Sequence, residues 1–111
     1  MKRWILLPIV LIFLIPLQGW GQTAKWTFMV YLAADNDLEP FGISDFNEME
    51  TVGSTSDVQI IVQMDRVPGY DASNGDWTDT RRFRVIKDND RDVISSPVVQ
   101  NIGEANMGDQ I

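Results

Sequence analysis

Trp26-Thr-Phe-Met-Val-Tyr-Leu-Ala-Ala-Asp-Asn-Asp-Leu-Glu-Pro-Phe-Gly-Ile-Ser-Asp-Phe-Asn-Glu-Met-Glu-Thr-Val52 decides the fold. Its first nine residues form the most β-prone run after the N-terminal segment. Trp26, Phe28, Val30 and Leu32 alternate with Met29, Tyr31 and Ala33, so both faces are apolar. A strand apolar on both faces is expected in a parallel sheet covered by helices. The run ends at Asp35-Asn-Asp37, and a helical pattern then begins. Asp37 is the expected N-cap, and Pro40 is tolerated in the first turn. Leu38, Phe41, Asp45/Phe46, Met49 and Val52 follow a 3.6-residue period, which predicts a helix near Leu38–Val52 with that apolar stripe. Gly42 inside it costs about 1 kcal/mol relative to alanine. Gly53 suits the C′ position.

Val58-Gln-Ile-Ile-Val-Gln-Met64 is the second expected strand, with Val58, Ile60, Val62 and Met64 on one face and Gln59 and Gln63 on the other. Strand, helix and strand make a βαβ unit with parallel strands and a right-handed crossover. The connection from Asp65 to Asp76 is rich in turn formers and long for a loop. Trp77–Ile86 reads as a third strand, whose Arg81, Arg82 and Arg84 suit an exposed edge. Asp88–Asp92 is a turn, and Val93–Ile102 is weakly extended around Pro97. Met107-Gly-Asp109 looks like the entry to a second helix, with Asp109 as N-cap.

The 111 residues allow one small domain at most. Met1-Lys-Arg-Trp4 is a basic start, Ile5–Leu17 an apolar run, and Gly19-Trp-Gly21 offers small residues for cleavage after Gly21. This is the secretory signal pattern, assigned to residues 1–21. A transmembrane anchor needs about 20 apolar residues, whereas this run is shorter and contains Pro8 and Pro16. The expected mature chain starts near Gln22 and is exported, either periplasmic or fully secreted, with no membrane attachment after cleavage.

The net charge is −7, and losing Lys2 and Arg3 with the leader makes the chain more acidic. Nucleic acid is not an expected partner, because binding it takes a basic footprint. The chain has no cysteine and no histidine. It therefore offers no disulfide, thiolate metal site, cysteine nucleophile or imidazole base.

In open α/β sheets, ligands bind beyond the carboxyl ends of strands. Asp35, Asp37 and Asp65 fall there and are the candidate substrate-binding residues. The spacing of Asp35-Asn-Asp-Leu-Glu39 resembles the start of a calcium loop. However, Pro40 replaces the loop glycine and no glutamate occupies the twelfth position. Helix capping, with acidic charge at the positive helix end, accounts for these residue types unaided. Asp88-x-Asp-x-Asp92 fails the same calcium-loop test at Val93 and Val99 and reads as a solvated turn. The Tyr70–Trp77 loop could line a carbohydrate or peptide groove. Alternatively, Trp77 packs on the core.

Several strings, in this order and spacing, resemble the clostripain-like family of cysteine peptidases. They are Trp26 to Asn36, Asp45-Phe-Asn-Glu-Met-Glu50 with Val52-Gly53, Val62-Gln-Met-Asp-Arg66, Trp77 with Thr80-Arg-Arg82, and Gly103-Glu-x-Asn-Met-Gly-Asp109. The resemblance covers most of residues 22–111 and corresponds to the N-terminal part of that family's catalytic domain. It implies an α/β, caspase-like fold with a mostly parallel sheet between helices. It also implies hydrolysis of protein or peptide substrates after Arg or Lys by a Cys–His dyad lying downstream of Ile111. The remainder of the catalytic domain would be a partner of this segment, and calcium is a possible cofactor. No catalytic or metal-binding position is carried over to a residue of this chain. Two alternatives stand beside this reading: a secreted non-catalytic binding module, and a piece of a homologue that has lost its dyad. The segment 22–111 by itself is expected to be inactive and poorly folded, since Phe28, Val30 and Leu32 would lack cover. Weak near-UV dichroism and non-cooperative unfolding of the isolated segment are the expected observations.

Overall fold

The computed structural model describes residues 23–108. The leader, its cleavage site and the Asp109 cap fall outside them. Five elements follow in order: β1 (Trp26–Ala34), α1 (Glu39–Glu50), β2 (Val58–Arg66), β3 (Thr80–Arg84) and β4 (Val98–Gly103). The strands form one sheet in the order β1-β2-β3-β4. β1 and β2 are parallel, from Trp26 opposite Val58 to Ala34 opposite Arg66, as the βαβ reading requires. β2–β3 and β3–β4 are antiparallel, so the sheet is mixed and the fold is α/β.

The core lies between α1 and one face of the sheet. Ile43 and Phe46 of the helix meet Ala34, Val62, Met64, Phe83 and Val85, with Trp77 closing one side. Burying side chains of this size contributes about 1.5–3 kcal/mol each. Phe83 is the centre of an aromatic cluster. The Phe46 ring meets it edge-on at 5.1 Å, and the Trp77 ring lies 5.3 Å away. Val62 and Met64 face the core as the alternation of β2 predicts.

Five expectations are corrected. The helix starts one residue later and stops two earlier than its pattern suggests. Its buried stripe is Glu39, Gly42, Ile43, Phe46, Asn47 and Glu50, while Leu38, Phe41 and Val52 are exposed. The expected stripe followed hydrophobicity, but the buried one includes three polar side chains that hold loops, as described below. Asp37 does not cap the helix. Asn36 shapes the turn, its amide donating to the Ala33 carbonyl (2.9 Å) and its Oδ1 accepting from Leu38 N (2.9 Å). β3 is an inner strand between β2 and β4, not an edge. Its arginines are tied to neighbours: Arg82 donates to Gln63 (2.7 Å) and Gln100 (2.9 Å), Arg84 to Gln59 and Arg81 to Asp79. Finally, β1 is an edge strand, and among the described residues it is not buried on both faces. Trp26, Phe28, Met29 and Tyr31 are 55–74% exposed.

Two glycines set the helix against the sheet. A Cβ on Gly42 would stand 3.1 Å from Ala34 Cβ and 3.3 Å from Met64 Cε, so the glycine lets the helix approach closely. Gly53 has φ +70°, and a Cβ there would stand 2.4 Å from the Lys87 backbone nitrogen. Its nitrogen donates to the Met49 carbonyl (2.9 Å), two residues past the C-cap Thr51. Replacing Gly53 with alanine both strains the backbone and collides with residue 87. Gly53→Ala is expected to cost about 2 kcal/mol or more, read as a lower denaturation midpoint.

Candidate functional site

The carboxyl ends of β1 and β2 form the candidate site, together with the start of β3 and the end of β4. The antiparallel connection brings β3 in from the opposite direction. Met64 pairs with Arg81 and Thr80 with Gly103. This end therefore collects Asp35 after β1, Asp65 in β2, Thr80 in β3 and Glu104 after β4. One carboxylate oxygen from each of Asp35, Asp65 and Glu104 lies within 4.8 Å of the others. Two of the three sequence candidates thus come together. Asp37 lies outside this cluster and is exposed. Glu104 was not singled out, because only the sheet order brings the end of β4 near β1.

Asp35 and Glu104 are exposed, whereas Asp65 is only 1% exposed. Asp65 Oδ1 is buried without a hydrogen-bond partner. Thr80 is fully buried, and its hydroxyl is also unpartnered. Burial pushes the Asp65 carboxyl above its ordinary value of 3.8. The neighbouring Thr80 hydroxyl pulls it down, although without a hydrogen bond of good geometry, and the negative charges of Asp35 and Asp79 push it up further. Asp79 moves the other way. Burial raises it, but hydrogen bonds from Arg81 and Asn101 outweigh this and hold it below the usual range.

Beside this cluster, Arg66 and Glu39 form a fully buried ion pair, with Nε 2.5 Å from Oε1. The other Glu39 oxygen accepts from Asp71 N (3.2 Å), and Arg66 Nη2 donates to the carbonyls of Asp71 (2.7 Å) and Ser73 (3.1 Å). The guanidinium also sits 4.3 Å from the centre of the Trp77 ring. Trp77 packs on the core at 7% exposure, and the 67–76 loop is gathered on a buried charge. The Ser73 backbone nitrogen donates to Asp71 (2.7 Å), and the hydrogen bonds from Ser73 hold the Asp71 carboxyl below its ordinary value.

At the far end of α1, Glu50 does similar work. Its Oε1 accepts from Ser95 N (3.0 Å), Ser96 N (2.7 Å) and the Ser96 hydroxyl. The Asp88 Oδ1 accepts from Asp90 N (2.8 Å) and the Asp90 Oδ1 from Asp92 N (3.0 Å), as in a solvated turn.

Removing one member of a buried pair leaves an uncompensated charge, at a cost of about 3–5 kcal/mol. Glu39→Gln is therefore expected to destabilise the fold by about that amount and to free the 67–76 loop. Faster amide exchange at Asp71 and Ser73 would register the second effect.

No family model matches the chain, and no curated protein does. Among solved structures, the chain is similar to a B. fragilis cysteine protease. That similarity has a TM-score of 0.54 at 24% identity, and covers 78% of this chain and 67% of that one. The chain therefore has the α/β, caspase-like fold found in that cysteine protease.

Proposed function

We propose that this chain is the N-terminal part of an exported cysteine endopeptidase of the clostripain-like kind. One observation carries this reading. The strings resembling that family occur in family order, on a chain whose fold matches that of a cysteine protease. The chain contains neither cysteine nor histidine, so by itself it cannot supply a thiolate nucleophile or an imidazole acid. Its part in such an enzyme is to build the first strands of the sheet and to present a carboxylate-rich strand end.

In the proposed enzyme a cysteine encoded beyond Ile111 attacks the peptide carbonyl, and a histidine on a neighbouring strand end protonates the leaving amine. Protein or peptide chains cut after Arg or Lys are the proposed substrates, in the periplasm or outside the cell. Asp35 and Asp65 lie at the strand ends where an acidic residue could meet a basic side chain.

Sequencing the encoding DNA past the Ile111 codon is the first test. The expected result is an open frame with a strand ending in His-Gly and another ending near a cysteine. The full product should then hydrolyse arginyl and lysyl peptide amides, and alanine at either of those two positions should abolish turnover. A frame that continues without histidine and cysteine, or stops at once, overturns the reading in favour of a binding module.

A further inference from the structure

We propose that Asn74-Gly75 is a self-modification site, at which slow spontaneous deamidation releases the two loops latched over α1. The inference goes beyond the peptidase reading and does not depend on it.

The sequence contributes the reactive pair. Asn74 is the one asparagine followed by glycine; the others precede Asp37, Glu48, Asp90, Ile102 and Met107. Deamidation needs the next backbone nitrogen to reach the side-chain carbonyl carbon. Glycine obstructs that approach least, having no Cβ and the widest backbone freedom. The fold leaves that nitrogen uncrowded. Gly75 is exposed at φ +91°, and a Cβ there would meet nothing within 4 Å. Asn74 itself is held at φ +56°, a left-handed conformation that asparagine adopts at some cost.

The same side chain is a latch. Asn74 Oδ1 accepts from Ile94 N (2.7 Å), with the Asn47 amide 3.5 Å away, and Nδ2 donates to the Ser73 hydroxyl (2.9 Å). The bond to Ile94 joins the 67–76 loop to the segment that follows Asp92, and Asn47 stands on α1 beside both. While these bonds hold, the side chain is not free to rotate onto the Gly75 nitrogen. Ser73, Gly75 and Asp76 are exposed, so local opening of this loop tip is what releases it.

The chemistry balances with water as the co-reactant. The Gly75 nitrogen gives its proton to hydroxide or a buffer base and bonds to Asn74 Cγ. The Cγ–Nδ2 bond breaks, ammonia leaves, and a cyclic imide remains. Water then opens the imide at either carbonyl, giving aspartate or isoaspartate, with no change of oxidation state. Isoaspartate carries the main chain through the side-chain carbon and so draws the acceptor away from Ile94 N. Both products replace a neutral amide with a carboxylate. That charge enters a cleft already lined by Glu48 and Asp92, with Arg91 as its cation, and like charges oppose reclosing of the latch.

The test ages the full product of the encoding gene in neutral and mildly alkaline buffer. Peptide masses after digestion follow each asparagine, and enzymatic carboxyl methylation counts isoaspartate. The converted fraction, which is more acidic, is separated by ion exchange, and its amide exchange is measured. Asn74 is expected to convert ahead of every other asparagine, faster at the higher pH and chiefly to isoaspartate. The converted chains should lose protection at Ile94. Asn74→Gln should abolish conversion at this position. Asn74→Asp, which keeps an acceptor on an unaltered main chain, should lose less Ile94 protection than the isoaspartate form. Conversion at Asn74 no faster than at the exposed Asn89 overturns the proposal. So does a converted fraction whose Ile94 amide stays as protected as before. Because peptidase activity is not the readout, failure of the peptidase reading leaves either result standing.

Discussion

The buried pair of Glu39 and Arg66 ties together parts that are otherwise only neighbours in a topology diagram. Glu39 opens α1 and Arg66 closes β2, so their bond fixes where the helix begins relative to where the sheet ends. Desolvating two charges is expensive, and such a pair persists only when its other donors and acceptors are engaged. The 67–76 loop supplies them. Asp71 donates to the glutamate, the Asp71 and Ser73 carbonyls accept from the guanidinium, and the Trp77 ring covers it. One guanidinium Nη1 stays without a partner. The aromatic cluster of Phe46, Phe83 and Trp77 then packs beneath a charge that cannot easily move.

The helix repeats the device at its other end under less favourable electrostatics. Glu39 sits at the positive end of the helix dipole, but Glu50 sits near the negative end, where a carboxylate is disfavoured. Three donors from Ser95 and Ser96 offset this. Both loops that cross the helix face are therefore held by glutamates of the same twelve-residue helix. A third contact lies between them. The Asn47 amide donates to the Ile43 carbonyl (3.0 Å), and the Asn74 oxygen accepts from Ile94 N (2.7 Å), joining the two loops.

How far the sequence could be read follows from the range of the signals. The βαβ unit was legible because strand alternation, helix period and the glycine after the helix are local. The helix stripe was misjudged because Glu39, Asn47 and Glu50 look like solvent-facing residues until their loop partners are known. Those partners lie 27 to 46 residues away. The arginines of β3 suggested an edge because nothing local reveals that Gln59, Gln63 and Gln100 would flank them. Asp35 and Asp65 were found from the rule that sites lie at strand ends. Asp37 satisfied the same rule but lies outside the cluster, exposed in the turn before α1. Glu104 required knowledge that β4 follows β3 antiparallel, and no spacing rule encodes that.

The glutamine partners of β3 have a consequence for the field around the molecule. Bonding a guanidinium to a neutral amide orients it without cancelling its charge. Arg82 and Arg84 thus stand as two fixed positive charges on the sheet face away from α1, in a chain whose total is −7. The acidic groups gather at the strand ends instead. Beyond about 8 Å in physiological salt most of this field is screened, so the negative total steers an approaching molecule only at low ionic strength. Only at contact does it meet a basic patch beside an acidic rim. A partner docked on that face therefore meets a local charge opposite in sign to the chain's total.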